Sequence, residues 1–462
     1  MRIVVVGNGM AGARVATELS TMDVTVLGAE NHQAYNRILL SSVLAGKHRP
    51  HDISIVSGSA GGKARLGVTV TSIDRAAHVV TTDSGERHEY DHLVLATGSR
   101  AIVPPLPGLD EALTFRTLDD CQRILERMHG AGTALVLGGG LLGLEAARGL
   151  AGRGLKVDVV HAVGHLMERQ LDPSASRVLE RTLTDLGITV HLNASAVAAG
   201  ADRLVLADGR VLSADLVVVA CGVRPETGLA LEAGLKVARG IVVDERLRTS
   251  DRRISAIGDC AQVGDEVSGL VAPAWEQARV VARQLTGIEP LAVYSPPAPV
   301  TRLKAAGIDL AAMGSLHTED SDDTDDTEDL YFQDISSGTY ARLVIRNERV
   351  AGAVMLGDNP SVGKVIQLFD RKLPVPLDRR SLLLGRSLDG GSLEVDSPAL
   401  MPAAATVCQC NSVTKGALVN CWRSGQRMLA EVVERTRATT GCGSCRDTVE
   451  GIMDWLARGE AA

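Results

Sequence analysis

The chain has 462 residues, a formal net charge of -8, and only 2% aromatic residues. A nucleic-acid surface needs basic stripes and stacking rings, so that class is not expected. Apolar residues make up 45% of the chain and charges of both signs are interspersed, which predicts a globular protein of about three units. The N-terminal MRIVVVGNGMAG has no basic n-region, long apolar core or cleavage site. No apolar run reaches the roughly 18 residues of a membrane span. A cytoplasmic location is therefore expected, with no membrane partner. Clustered thiols in that compartment point to metal ligation or catalysis rather than to disulfides.

The first predicted unit is RIVVVGNGMAGARVATELSTMDVTVLGAE: a strand, a glycine turn, a helix and a second strand. Gly7, Gly9 and Gly12 form GxGxxG around Met10 and Ala11, and Glu30 follows Gly12 by 18 positions. The second unit, TALVLGGGLLGLEAARGLAGRGLKVDVVH, repeats that order. Its glycines are Gly138, Gly140 and Gly143, around Leu141 and Leu142, and His161 again stands 18 positions on. One such turn is weak evidence; two in the same strand–turn–helix–strand context predict two dinucleotide sites. The first glycine allows the sharp turn, the second clears space for a pyrophosphate, and the third lets helix and strand pack closely. The helix N-terminus then offers free N–H groups and a partial positive charge.

Two further apolar strands end in polar residues. HLVLATGSR closes at Thr97 and Gly98, and RRISAIGDCAQ at Gly258 and Asp259. On position alone, Asp259 suits either a polyol chain or a helix N-cap. Beyond residue 290 the acidic run TEDSDDTDDTED (318–329) reads as a solvated loop. TYARLVIRNERVAGAVMLG reads as two strands joined at Asn347, and 371–405 as a linker.

Four cysteines close the chain: Cys408 and Cys410 as CxC, then Cys442 and Cys445 as CxxC, with the segment 411–441 between the pairs. Four soft thiolates suit a [2Fe–2S] cluster; a structural zinc site and a disulfide pair are the other readings. The glycine turns favour the cluster. A nicotinamide donor gives up electrons in pairs, an iron–sulfur centre takes them singly, and a flavin between them matches the two. Arg435, Arg437 and Arg446 flank the second pair and could offset the cluster's charge, steer an acidic partner, or lie on a solvated face. Cys121, Cys221, Cys260 and Cys421 read as small buried residues. No cysteine precedes Cys121, so a thiol–disulfide reductase is not expected.

GNGMAG, YNRILLSSVLAG, LATGS, FRTLDD, GGGLLGLEAARGL, LMERQLD, GDCA and CQCN…TGCGSC together resemble the flavoprotein part of NADH-dependent nitrite reductase large subunits. They equally resemble the related electron-transfer subunit of bacterial assimilatory nitrate reductase. The part of the chain before position 290 also looks like rubredoxin and ferredoxin reductases, and the cysteine segment at its end like a bacterioferritin-associated-ferredoxin type of [2Fe–2S] domain. The resemblance implies FAD on the first turn, with Glu30 on the adenosine ribose. It puts Arg37 and Arg116 near the phosphates and flavin, Asp259 on the ribityl chain, and NADH on the second turn. It also implies an interleaved α/β fold, with two doubly wound nucleotide-binding domains. The FAD domain is expected at 1–112 and 238–290, the NAD domain at 113–237, a small α+β domain at 291–370, the linker, and a helical [2Fe–2S] domain at 406–462.

Two positions depart from the resemblance. Many related ferredoxin reductases carry a lysine where this chain has Ser42, paired with a glutamate at the place of Glu145. Glu145 is the candidate catalytic residue, with serine rather than lysine at the pairing position. His161 stands where an acid would mark NADH. The chain ends at Ala462 without a further cysteine set, so sirohaem-based nitrite reduction is not expected of it. The expected function is an NADH-oxidising reductase component. Its favoured partner is a molybdenum-containing nitrate reductase subunit; the alternatives are a detached sirohaem nitrite reductase, a ferredoxin or rubredoxin, or a redox-sensing role without turnover.

Overall fold

The computed structural model describes residues 1–55, 64–109, 112–200, 202–296, 300–305, 307–316, 326–384, 398–408, 413–439 and 445–460. The run RIVVV becomes the central strand Arg2–Val6 of a five-stranded parallel sheet, where Ile3 to Val6 are all buried. A strand covered on both faces reads as continuous apolar sequence rather than as alternation. The order across this sheet is 254–256, 92–95, 2–6, 23–28, 64–66. Strand Ile254–Ala256 pairs with His92–Leu95 although a whole second unit lies between them in sequence. Helix Val271–Leu285 packs on helix Met10–Glu18, and the Trp275 indole N–H donates to the Met10 carbonyl at 3.1 Å. The chain thus leaves the first unit, builds the second, and returns to complete the first.

The second unit repeats the plan. Its five strands run in the order 188–191, 156–160, 133–137, 216–219, 113–114, paired in parallel. Each unit also carries a three-stranded antiparallel sheet, 70–89 in the first and 196–213 in the second. Antiparallel strands Ser99–Ala101 and Val223–Pro225 join the two units.

Strands Val300–Ala305, Ile308–Gly314, Thr327–Asp334, Thr339–Arg346 and Arg349–Leu356 form a five-stranded antiparallel sheet. Alternate residues face opposite ways along a strand. Leu310, Ala312, Tyr340, Val354 and Leu356 pack into the core of the second unit. Ala311, Met313, Ala341, Leu343 and Met355 face helix Val362–Asp370. Asn347 and Glu348 have φ of 50° and 58°, the left-handed pair that a two-residue hairpin turn requires, between strands Thr339–Arg346 and Arg349–Leu356.

The acidic run behaves differently from its loop reading where it is described. Glu328 and Asp329 lie in strand Thr327–Asp334; Arg379 bonds Glu328 at 2.9 Å and Arg342 bonds Asp329 at 2.7 Å. For these two acids, arginines supplied from elsewhere in the fold offset the repulsion that a linear charge count suggests. Residues 318–325 lie outside the described residues, as does 385–397 of the expected linker; within that linker Arg380–Leu384 is a short helix.

The last unit has hairpin strands Thr406–Cys408 and Val413–Thr414 and helices Lys415–Arg423, Leu429–Thr436 and Arg446–Glu460. Leu418, Trp422, Val432, Val449 and Ile452 form its core. The helix Leu429–Thr436 ends at Arg437 in the left-handed conformation, φ 59°. Arg437 then donates to the backbone carbonyls of Ser54 at 2.7 Å and Asp52 at 3.0 Å in the first unit. Among the described residues no helix is long and apolar enough to cross a membrane.

Candidate functional site

The two glycine turns share one steric logic. A Cβ on Gly7 would sit 2.1 Å from the Ala96 carbonyl oxygen, and one on Gly138 would sit 2.4 Å from that of Ala220. Both glycines have positive φ, 109° and 122°, which L side chains rarely adopt. A Cβ on Gly12 would meet the Gly7 oxygen at 1.9 Å, and one on Gly143 the Gly138 oxygen at 2.0 Å. A Cβ on Gly9 or Gly140 would meet nothing within 4 Å. These two middle glycines are the N-caps of helices Met10–Glu18 and Leu141–Ala151, and neither helix start has a side-chain cap. Each turn therefore leaves open space in front of backbone donors that a phosphate can fill. The residues present fit two dinucleotides.

Around the first turn the expected residues converge. The Glu30 carboxylate accepts from the Tyr35 hydroxyl at 2.6 Å and from the Arg37 guanidinium. Arg37 also lies 5.1 Å over the Tyr35 ring and donates to the Arg116 carbonyl at 3.1 Å. Burial works against its charge, but Tyr35 and Glu30 outweigh that and hold its pKa above the usual arginine value. Arg116 bonds Asp259 at 2.6 Å and the Ser99 hydroxyl at 2.7 Å, and Ser99 bonds Asp259 at 2.8 Å. Asp259 caps no α-helix; it sits in the short turn Gly258–Cys260 after its strand. Thr97 donates to the Glu226 carbonyl at 2.7 Å, and the Gly98 carbonyl accepts from Glu226 N–H at 2.9 Å. Met10 and Ala11 line the same space.

The second turn is built differently at its strand end. His161 is 9% exposed. Its Nδ1 accepts from the Gly139 N–H at 3.1 Å, so the ring proton is assigned to Nε2. Nε2 faces the His165 carbonyl at 3.1 Å and the Glu168 carboxylate at 3.3 Å. Leu141, Leu142 and Glu145 line the space before this turn, with Glu145 buried on helix Leu141–Ala151. Ser42, at the place of the absent lysine, lines it too.

Both turns open into one cavity of about 2480 Å³, and Cys445 of the last unit lines that same cavity. Cys408 and Cys445 are buried together in one apolar core. Cys410 and Cys442 lie outside the described residues. The two described thiols are soft donors close to a dinucleotide cavity, which fits an iron–sulfur group. Burial pushes the Cys221 thiol to about 11 and the Cys121 thiol to about 12, and raises Cys260 and Cys421, as inert packing residues require.

Residues 1–278 match the family described as pyridine nucleotide-disulphide oxidoreductase. The chain belongs to the pyridine nucleotide-disulphide oxidoreductase family. That membership brings FAD and NAD(P)H as cofactors, in agreement with the two glycine turns. Residues 299–372 match the rubredoxin NAD+ reductase C-terminal domain, and residues 406–455 the BFD-like [2Fe–2S] binding domain. The assimilatory nitrate reductase electron transfer subunit of Bacillus subtilis is 35% identical over 99% of this chain and 60% of its own length. A nitrite reductase [NAD(P)H] of the same organism is 35% identical over 98% of this chain and 57% of its own length. This chain thus spans little more than half the length of these relatives. Among solved structures, a ferredoxin reductase from Rhodopseudomonas palustris has a TM-score of 0.69 at 30% identity, covering 77% of this chain and 91% of that one.

Sequence reading missed Ser99, Tyr35 and Glu168. One signal was available: ACGVR at 220–224 echoes ATGSR at 96–100. That repeat marks both strand ends and puts Ser99 beside a site. Tyr35 and Glu168 sit in irregular segments where no periodicity speaks.

Proposed function

We propose that this chain is a reductase component that oxidises NADH and delivers the electrons, through bound FAD and a [2Fe–2S] cluster, to a separate terminal enzyme. We take that enzyme to be the molybdenum-containing catalytic subunit of an assimilatory nitrate reductase, acting in the cytoplasm. One observation carries the reading: both glycine turns and Cys445 line a single cavity. Bound FAD accepts electrons as a pair and releases them one at a time, which matches a hydride donor to a one-electron acceptor.

The chain's own residues supply position and charge. The helix starts at Gly9 and Gly140 direct backbone N–H groups at two pyrophosphates. Asp259, oriented by Arg116 and Ser99, presents a carboxylate at the strand end for a polyol hydroxyl. Arg37, fixed by Glu30 and Tyr35, holds positive charge over the first turn. Glu145 and Ser42 border the cavity into which both turns open, where two bound dinucleotides would meet. Arg437 holds the last unit against the backbone of Asp52 and Ser54, keeping the cysteines near the cavity. Cys408, Cys410, Cys442 and Cys445 would hold the cluster.

The test uses protein purified without oxygen. Iron and acid-labile sulfide should accompany the flavin. NADH should bleach the flavin and produce a paramagnetic signal from the reduced cluster. Mixed with the molybdenum subunit, the chain should support NADH-driven conversion of nitrate to nitrite. Absence of sulfide overturns the cluster. Turnover with a sirohaem nitrite reductase and none with the molybdenum subunit overturns the partner.

A further inference from the structure

We propose that Glu168 sets the coenzyme preference of the second turn, taking over the task of the acid that His161 replaces at the strand end. The proposal rests on the reading of the second turn as the NADH site. A strand-end acid in such folds accepts the ribose 2′-hydroxyl and repels a 2′-phosphate. Here that position holds an imidazole whose two nitrogens are already engaged, Nδ1 by the Gly139 N–H and Nε2 toward His165 and Glu168. The ring packs against the turn: a Cβ on Gly139 would lie 2.7 Å from His161 Cγ. His161 is thus a wedge between turn and strand, and has no lone pair left for a ribose.

The carboxylate comes instead from the following loop. Met167 is buried and left-handed, with φ 49°, an uncommon conformation for a side chain of its type. Its N–H donates to the Gly139 carbonyl at 3.1 Å, which ties the loop to the glycine turn. The bend at Met167 carries the next residue, Glu168, back to His161 Nε2 at 3.3 Å. The Glu168 side chain keeps 40% of its surface open and lines the cavity. It therefore retains acceptor capacity for a hydroxyl. A 2′-phosphate at the same place would meet like charge in a partly enclosed space. Arg169 also lines the cavity, and it is the residue that would favour the phosphate once the Glu168 carboxylate is removed.

The experiment is calorimetric titration of the flavin-loaded chain with NAD⁺, NADP⁺ and 2′,5′-ADP, on the natural protein and on Glu168→Gln and Glu168→Ala. The natural protein should bind NAD⁺ more tightly than NADP⁺. Both variants should lower the ratio of the NADP⁺ to the NAD⁺ dissociation constant by about tenfold or more, as loss of a charged hydrogen-bond acceptor implies. Binding of 2′,5′-ADP should tighten in both. Glu168→Asp should restore part of the preference, which a merely structural role would not. A ratio unchanged in the variants overturns the proposal and leaves the NADH site standing. A natural protein that binds neither nucleotide overturns the site and the proposal together.

Discussion

The two glycine turns are near copies in backbone and differ in what waits at the end of the next strand. Gly7 and Gly138 close on corresponding carbonyls, 2.1 and 2.4 Å from where a Cβ would stand, and Gly12 and Gly143 do the same at 1.9 and 2.0 Å. At the strand ends, Glu30 is an anion tied to Tyr35 and Arg37, whereas His161 is a wedge tied to Gly139 and Glu168. Close packing of helix on strand leaves no freedom in the turn, so a repeat preserves it. The strand-end side chains bond to neighbouring turn and loop residues that differ between the units, so the two copies are free to diverge there.

The largest test of that comparison is to fill the tight contacts. Gly12→Ala and Gly143→Ala should each cost about 3 kcal/mol or more, because the new methyl meets backbone that cannot yield. Thermal unfolding should show similar losses for both, with FAD released only by Gly12→Ala. Unequal losses would break the equivalence of the turns.

Next is a difference in acid sensitivity. His92 pairs with Ile3 in the first sheet, and the corresponding partner of Ala134 in the second sheet is Leu216. Burial lowers the His92 pKa to about 4, and its Nε2 lies 3.0 Å from the Ser255 hydroxyl. A folded-state pKa below the unfolded value of about 6.5 gives stability that is complete above pH 6.5 and lost as pH falls toward 4. That loss should be about 3 kcal/mol, and His92→Leu should abolish it. An acid transition that persists in His92→Leu would place the sensitive group elsewhere.

A smaller effect is expected where the second unit meets the antiparallel sheet. Asp172 caps its helix through Ser174 and Ala175 N–H at 2.9 Å, and accepts from Tyr340 at 2.7 Å and Arg342 at 3.2 Å. Burial works to raise its pKa, but the Ala175 N–H, Tyr340 and Arg342 prevail and hold it below the ordinary carboxylate value. Its stabilisation is therefore present above about pH 4 and lost below it. Asp172→Asn keeps a cap but loses the anion, and should cost about 1–2 kcal/mol at neutral pH, with the gap to the natural protein closing below pH 4. Urea titrations at pH 7 and pH 3 measure it.

The smallest change in stability should come from Gly9→Ala and Gly140→Ala, within about 0.5 kcal/mol, since the added methyls meet nothing. The same methyls occupy the space assigned to pyrophosphate. Flavin retention should fall in the first variant and NAD⁺ affinity in the second. Unimpaired binding in both would remove the dinucleotides from these turns.

The sequence alone determined the two turns, the strands around them, and the CxC…CxxC pattern, because these depend on local spacing and on which side chains a backbone can tolerate. The hairpin at Asn347 was legible for the same reason. The tertiary structure decided what each strand end does. It put Asp259 with Arg116 and Ser99 across 143 and 160 positions of chain, gave Glu328 and Asp329 their arginines, and turned Glu168 back onto His161. Partners so distant in sequence leave no periodic trace, since the energy of a charge or hydrogen bond depends on where folding brings its counterpart and not on the residues beside it.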